Sequence, residues 1–180
     1  MLRLSPHTSG TLLALLAVGC AAAELPERRS SETDRPSRNA GKPLVLSAPD
    51  LNGREVDVGA EMGKVRVVDF WATWCEPCKE AMPELDAMAR ELGPRGLNVY
   101  GVSIDEDRAQ ILQYLKKAPV SFPVLWDKGA VQVSRFDVVY MPVTLLVDRR
   151  GIVRYVHQGW DAGRSQRQRA EVEALLAEAR

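Results

Sequence analysis

Metal-binding side chains are scarce in this 180-residue chain, which has only three cysteines and two histidines. A structural zinc site needs four such ligands, and a CxxC pair is only half of one; His7 falls in an N-terminal export signal, so His157 alone could supplement Cys75 and Cys78. Zinc is therefore not expected. Charge of one sign is also lacking, since Lys plus Arg and Asp plus Glu both number 24, and no overall field favours nucleic acid or an acidic partner. Long apolar runs are missing too. The stretch Leu12 to Val18 falls well short of the roughly 20 residues that cross a bilayer. There is no internal repeat. What the chain does have is 46% hydrophobic residues, enough for the core of one ordinary domain.

Residues 1–20 read as a signal peptide, with Arg3 as the positive start and Leu12 to Val18 as the apolar segment. Ala17-Val18-Gly19-Cys20 resembles a bacterial lipobox, with Ala17 where leucine is usual. Cleavage before Cys20 and acylation of its sulfur would anchor the mature chain and leave two free thiols. Ala21-Ala22-Ala23 also fits an ordinary signal peptidase, which would release a chain without Cys20. An uncleaved anchor is the third outcome, and all of these place the domain outside the cytoplasm. Residues 21–43 are rich in Glu, Arg, Ser, Asp and Pro and cannot offset their chain entropy by burial, so a disordered linker is expected there.

From residue 44 to 180 the pattern is that of a single α/β domain. Leu44 to Leu51, the turn Asn52-Gly53 and Glu55 to Val58 suggest a β-hairpin. Val65 to Phe70 is apolar enough for a strand covered on both faces. A helix over Glu76–Leu92 would bury Cys78, Met82, Leu85, Ala89 and Leu92 along one stripe, with Pro83 as a kink. Beyond Gly93-Pro94-Arg95-Gly96 follow a strand from Leu97 to Ile104 and a helix from Asp105 through Lys117, with Ile111, Leu112 and Leu115 inward. A strand from Ser121 to Trp126 and a short helix from Gly129 to Phe136 come next. Val143 to Val147 and Ile152 to His157 form a hairpin about Asp148-Arg149-Arg150-Gly151, and Gly163 to Arg180 is a helix buried through Val172, Leu175, Leu176 and Ala179.

Chemistry concentrates where the first long strand meets the first long helix. Cys75 and Cys78 sit three positions apart, so at a helix start they share a face and can close a small disulfide. A helix N-terminus carries unpaired N–H groups and the positive dipole end, which favour a thiolate, the reactive form. Pro77 suits the first helical turn, and Glu76 places negative charge beside Cys75. Asp69 precedes Cys75 by six residues in the strand. Trp71 and Trp74 flank the pair, Trp71 as core and Trp74 as cover over the thiols. Lys79 reads as a solvated helix residue and His157 as a strand residue.

Val68-Asp69-Phe70-Trp71-Ala72-Thr73-Trp74-Cys75-Glu76-Pro77-Cys78-Lys79 resembles the active-site segment of the thioredoxin superfamily, in the branch of envelope thiol:disulfide oxidoreductases that includes TlpA and ResA. The resemblance implies a thioredoxin fold: an α/β domain with a mixed central sheet flanked by helices and an N-terminal β-hairpin extension. It implies a redox-active Cys75–Cys78 disulfide and no other cofactor, with Cys75 attacking, Cys78 resolving, and a buried Asp69 of raised pKa moving the Cys78 proton. It also implies a cis Met141-Pro142 bond facing the disulfide, Met141 pairing with a substrate strand, and Trp74, Glu76 and Pro77 bordering that substrate. Gly159 matches a family glycine near the site, where only a small residue would let a partner chain approach.

Glu76 opposes the thiolate and so favours a stable disulfide, which points to a reductant rather than an oxidant. The expected partners are disulfide-containing envelope proteins, apocytochrome c among the candidates, and a membrane electron donor of the DsbD or CcdA type. The expected chain is a lipid-anchored monomer that binds no nucleic acid, and Ala21 after Cys20 points by family rule to the outer membrane. Two alternatives share the fold. An SCO-like copper metallochaperone has a CxxxC pair with a distant histidine, whereas two residues separate Cys75 from Cys78; a peroxiredoxin-type peroxidase has Thr-x-x-Cys, whereas Thr73 stands two before Cys75.

Overall fold

The computed structural model describes residues 37–179. The expected signal peptide, Cys20 and most of the expected linker lie outside the described residues. A hairpin of β1 (Ser47–Pro49) and β2 (Glu55–Asp57) forms its own two-stranded sheet and packs against a five-stranded one, with Asp50 bridging Leu125. That sheet is built from β3 (Val65–Trp71), β4 (Leu97–Ser103), β5 (Val124–Trp126), β6 (Val143–Val147) and β7 (Val153–Gln158), in the order β5-β4-β3-β6-β7. β3, β4 and β5 run parallel, and β6 and β7 are antiparallel to their neighbours. The helices are α1 (Glu76–Leu92), α2 (Arg108–Lys117) and α3 (Ala162–Ala177). This is the expected mixed α/β fold with its hairpin extension.

All seven residues of β3 are buried, which is why its sequence does not alternate polar with apolar. Successive side chains still point to opposite faces. Val65, Val67 and Trp71 join a core with Cys75, Cys78, Met82 and Leu85 of the α1 side and Val172 and Leu175 of α3. Val68 and Phe70 join a second core with Leu44, Leu46, Val58, Val133 and Phe136. Asp69 shares the parity of Val67 and Trp71, so it faces the layer that holds the cysteines.

α1 has the predicted limits and runs on through Pro83, whose exposed ring sits on the solvent side. Other expectations need correction. α2 begins at Arg108, capped by Asp107 accepting from the Ala109 N–H at 2.8 Å; Asp105 belongs to the loop before it and is buried. Leu112 is exposed and Leu115 only partly buried, because Ile111 alone occupies the centre of the inward face and a neighbour at i+1 points elsewhere. The short helix expected at Gly129–Phe136 is two 3-10 turns, Lys128–Ala130 and Val133–Phe136, separated after Gly129 takes a positive φ of 73°. α3 stops at Ala177, so Ala179 lies beyond it and is exposed.

Residues 37–43 are not a free tether either. The Gly41 N–H donates to Val153 O at 2.8 Å, Val153 N–H donates to Lys42 O at 2.9 Å, and Pro43 bridges Ile152. β7 is an edge strand, and this segment satisfies backbone groups that would otherwise be open to another chain. A second tie is Arg66, fully buried on the face opposite Asp69, whose Nη1 donates to Val58 O at 2.6 Å and Nη2 to Asp148 O at 3.3 Å. It joins the segment after the hairpin to the β6–β7 turn.

Candidate redox site

Cys75 is the N-cap of α1, with extended backbone (φ −93°, ψ 103°), and Pro77 stands in the first turn where its missing N–H costs nothing. The Cys78 N–H donates to Cys75 Sγ at 3.3 Å. One of the unpaired amides of the helix start is thus already aimed at the sulfur that has to carry negative charge. The two sulfurs are joined at 2.06 Å with the Cα atoms 5.3 Å apart. Exposure is 6% for Cys75 and 0% for Cys78, so Cys75 is the more accessible sulfur-bearing residue and Cys78 is wholly buried.

Glu76 is 78% exposed in its side chain and pairs with Lys79 across one helical turn, Nζ to Oε1 at 2.6 Å. The negative charge beside Cys75 is therefore partly offset by a cation that the sequence reading assigned to solvent. Trp74 is 63% exposed and Trp71 wholly buried, stacking at an angle on Tyr114 with ring centroids 5.3 Å apart. Most of the Trp74 surface is therefore available to a partner.

Asp69 is completely buried, and its carboxyl is pushed up to about 7, first by burial and against a hydrogen bond from Thr144 that pulls it down. Thr144 Oγ1 donates to Asp69 Oδ1 at 2.7 Å. Such a carboxyl can hold a proton near neutral pH and give it up without a large penalty.

The Met141-Pro142 bond is cis, Pro142 is buried, and Met141 packs against the core that contains both cysteines. Ahead of it, Val139 and Tyr140 are exposed, and the Gln158 side chain braces them: its Oε1 accepts from Val139 N–H at 2.6 Å and Tyr140 N–H at 3.1 Å, while Nε2 donates to Asp137 O at 3.1 Å. Gly159 adjoins this loop, donating to Pro142 O at 2.8 Å. Its requirement is conformational: φ is +74°, while an added Cβ would meet only Tyr140 Cβ, at an ordinary 3.7 Å. Within the chain, the need for glycine at this position is set by its backbone. His157 is a strand residue, buried in β7, with Nε2 2.6 Å from Glu171 Oε2.

Two functional supports were not anticipated. Asp105 accepts from Thr73 N–H at 3.0 Å, Thr73 Oγ1 at 2.7 Å and Ser103 Oγ at 2.7 Å, and so fixes the turn that delivers Trp74 and Cys75. Thr144 is the other, a lone hydroxyl in an apolar strand. A buried polar residue within Val143–Val147 was the available signal.

Residues 42–156 match the AhpC/TSA family. The thiol-disulfide oxidoreductase ResA of Halalkalibacterium halodurans is 28% identical over 127 residues, 70% of this chain and 72% of that one. The thiol-disulfide oxidoreductase ResA of Bacillus subtilis is 30% identical over 110 residues, 61% of this chain and 62% of its own length. Among solved structures, a protein described as a DsbE thiol:disulfide interchange protein of Chlorobium tepidum superposes with a TM-score of 0.73 at 27% identity, covering 77% of this chain and 98% of that one.

Proposed function

The chain belongs to the AhpC/TSA family and is a thiol:disulfide oxidoreductase, and from this we propose that it works outside the cytoplasm, chiefly as a reductant of protein disulfides. The observation that carries the reading is the placement of Cys75 Sγ on the α1 N-terminus, 3.3 Å from the Cys78 N–H, with Cys78 wholly buried. In the reduced protein the Cys75 thiolate attacks one sulfur of a substrate disulfide, a mixed disulfide forms, and the other substrate sulfur leaves as a thiolate that takes a proton from water. Cys78 then loses its proton to Asp69, attacks Cys75 Sγ, and expels the second substrate sulfur. Two electrons have passed to the substrate and the protein holds the Cys75–Cys78 disulfide.

Glu76 supports the reducing direction by opposing the Cys75 thiolate, and Asp69 serves the exchange itself by supplying a base to Cys78. Trp74, Met141 and the backbone before Pro142 form the border that a substrate segment would meet, together with Glu76 and Pro77. Regeneration requires a dithiol donor, for which a membrane transporter of the DsbD or CcdA type is the candidate; envelope proteins with disulfides, apocytochrome c among them, are the candidate substrates. The redox group is the disulfide itself, with no further cofactor, in a monomer. Anchoring by a lipid on Cys20 is supported by Ala17-Val18-Gly19-Cys20, and the outer membrane by Ala21.

The test uses the full chain, reduced, with a disulfide-bonded model protein. Turnover is expected, Cys75→Ser should abolish it, and Cys78→Ser should accumulate the mixed disulfide on Cys75. Consumption of hydrogen peroxide in place of the disulfide would point instead to the peroxidase alternative.

A further inference from the structure

Asp69 and Thr144 are directly opposed in the antiparallel pairing of β3 with β6, on the sheet face that carries the cysteine layer. Both are wholly buried. The Thr144 hydroxyl has one proton to donate, and it goes to Asp69 Oδ1 across 2.7 Å. Asp69 Oδ2 is buried and has no partner among the described residues. A neutral carboxyl carries one proton on one oxygen; with Oδ1 held as an acceptor, that proton belongs on Oδ2.

We propose that Thr144 is a positioning residue for thiol–disulfide exchange, its hydroxyl holding the Asp69 carboxyl so that Oδ2 is the oxygen that takes and returns the Cys78 proton. The inference rests on the reading of Asp69 as the proton acceptor for Cys78. Thr144 also sets how readily that oxygen takes the proton, because a donor to a carboxylate favours the charged form.

The surroundings leave Thr144 as the adjustable partner. On β4 the residue opposite Asp69 is Gly101, where a Cβ would meet Phe122 Cε2 at 3.0 Å and Trp71 Nε1 at 3.2 Å, so no side chain competes from that strand. From β7 the residue opposite Thr144 is His157, itself paired with Glu171 of α3. α3 also buries the uncharged Gln168 toward the sheet, and the α1 end presents Cys75 and Cys78. Burial and the Thr144 bond are the two causes that act on the Asp69 carboxyl, and no charged side chain contributes.

The experiment compares wild type with Thr144→Val, which keeps the shape and removes the hydroxyl, and with Thr144→Ser, which keeps the hydroxyl. Two quantities are read: the Asp69 titration by carboxyl 13C NMR of the oxidised protein, and the pH profile of single-turnover reduction of a model protein disulfide. Thr144→Val should move the Asp69 midpoint up by about one pH unit, move the corresponding limb of the rate profile by the same amount, and slow resolution several-fold at neutral pH. Thr144→Ser should restore both. Thr144→Ala serves the same comparison if valine packs poorly. An unmoved midpoint, or a midpoint that moves while the rate limb stays, overturns the proposal and leaves Thr144 a packing residue. Asp69→Asn separates the two levels: if it keeps the wild-type rate limb, the reading of Asp69 fails and this inference falls with it, whereas a lost limb with an unchanged Thr144→Val profile sinks the inference alone.

Discussion

The backbone N–H of Cys78 lies 3.3 Å from Cys75 Sγ, so the residue that later attacks Cys75 also steadies its sulfur beforehand. The same turn of helix supplies both services because Cys75 is the cap and Cys78 the third residue beyond it. Spacing, helix start and burial order thus act together, and each can be tested apart.

Asp69 makes stability depend on pH with a definite sign. Its carboxyl titrates near 7 when folded and at an ordinary 3.8 when unfolded, so between those values the folded chain holds a proton that the unfolded chain has lost. Stability contributed by the neutral carboxyl is therefore full at low pH and lost as pH rises through that window. Relative to Asp69→Asn, the oxidised wild type should lose roughly 3 kcal/mol between pH 5 and pH 8 in urea denaturation. The pairing of His157 with Glu171 is common to both proteins and cancels. A difference that stays flat with pH would contradict the burial account.

Asp105 holds the turn ahead of Cys75 through Thr73 and Ser103. Asp105→Ala leaves the buried Ser103 hydroxyl and the partly buried Thr73 donors unpaired and should destabilise the protein by about 2–3 kcal/mol, with reduced disulfide turnover. Asp105→Asn, which keeps an acceptor oxygen, should lose less on both measures. Denaturation curves together with turnover rates check this, and equal losses for the two variants would count against it.

Trp74 is exposed beside a buried pair, so its loss should be felt by a partner and not by the fold. Trp74→Ala should leave unfolding free energy within about 0.5 kcal/mol of wild type while lowering kcat/KM for a protein disulfide about tenfold. A small aromatic disulfide should be reduced at nearly the wild-type rate. Parallel losses on both substrates would instead place Trp74 in the chemistry.

Glu76 and Lys79 act on Cys75 with opposite signs across their 2.6 Å pair. Glu76→Gln should make the disulfide more oxidising and Lys79→Gln more reducing, each by about 20 mV or less since exposed charges interact weakly. Potentials of the two variants check this directly, and shifts of the same sign would remove charge from the explanation.

Much of this was legible in the chain. α1 was legible at both ends because Pro77 suits the first helical turn, Gly93-Pro94-Arg95-Gly96 breaks the helix, and the apolar stripe between them is continuous. The cis Met141-Pro142 bond came from family resemblance, not from any local signal. Asp105 was misread because three acidic positions in a row look like a helix start, whereas one cap suffices and Asp107 provides it. Asp69 was legible as a buried acid, but its partner was not: Thr144 lies 75 residues away, and only the strand register brings the two together. The docking of residues 41–43 on β7 was missed for a similar reason, since composition reports how little a segment can bury, not which backbone groups it can pair with.

The central claim is that Cys75–Cys78 is a reducing couple, and its reduction potential in glutathione and dithiothreitol buffers tests that most directly. A value near or below about −250 mV is predicted for a reductant of protein disulfides, with Glu76 contributing about 20 mV or less in that direction. A value near the roughly −120 mV of a strong oxidant would contradict it.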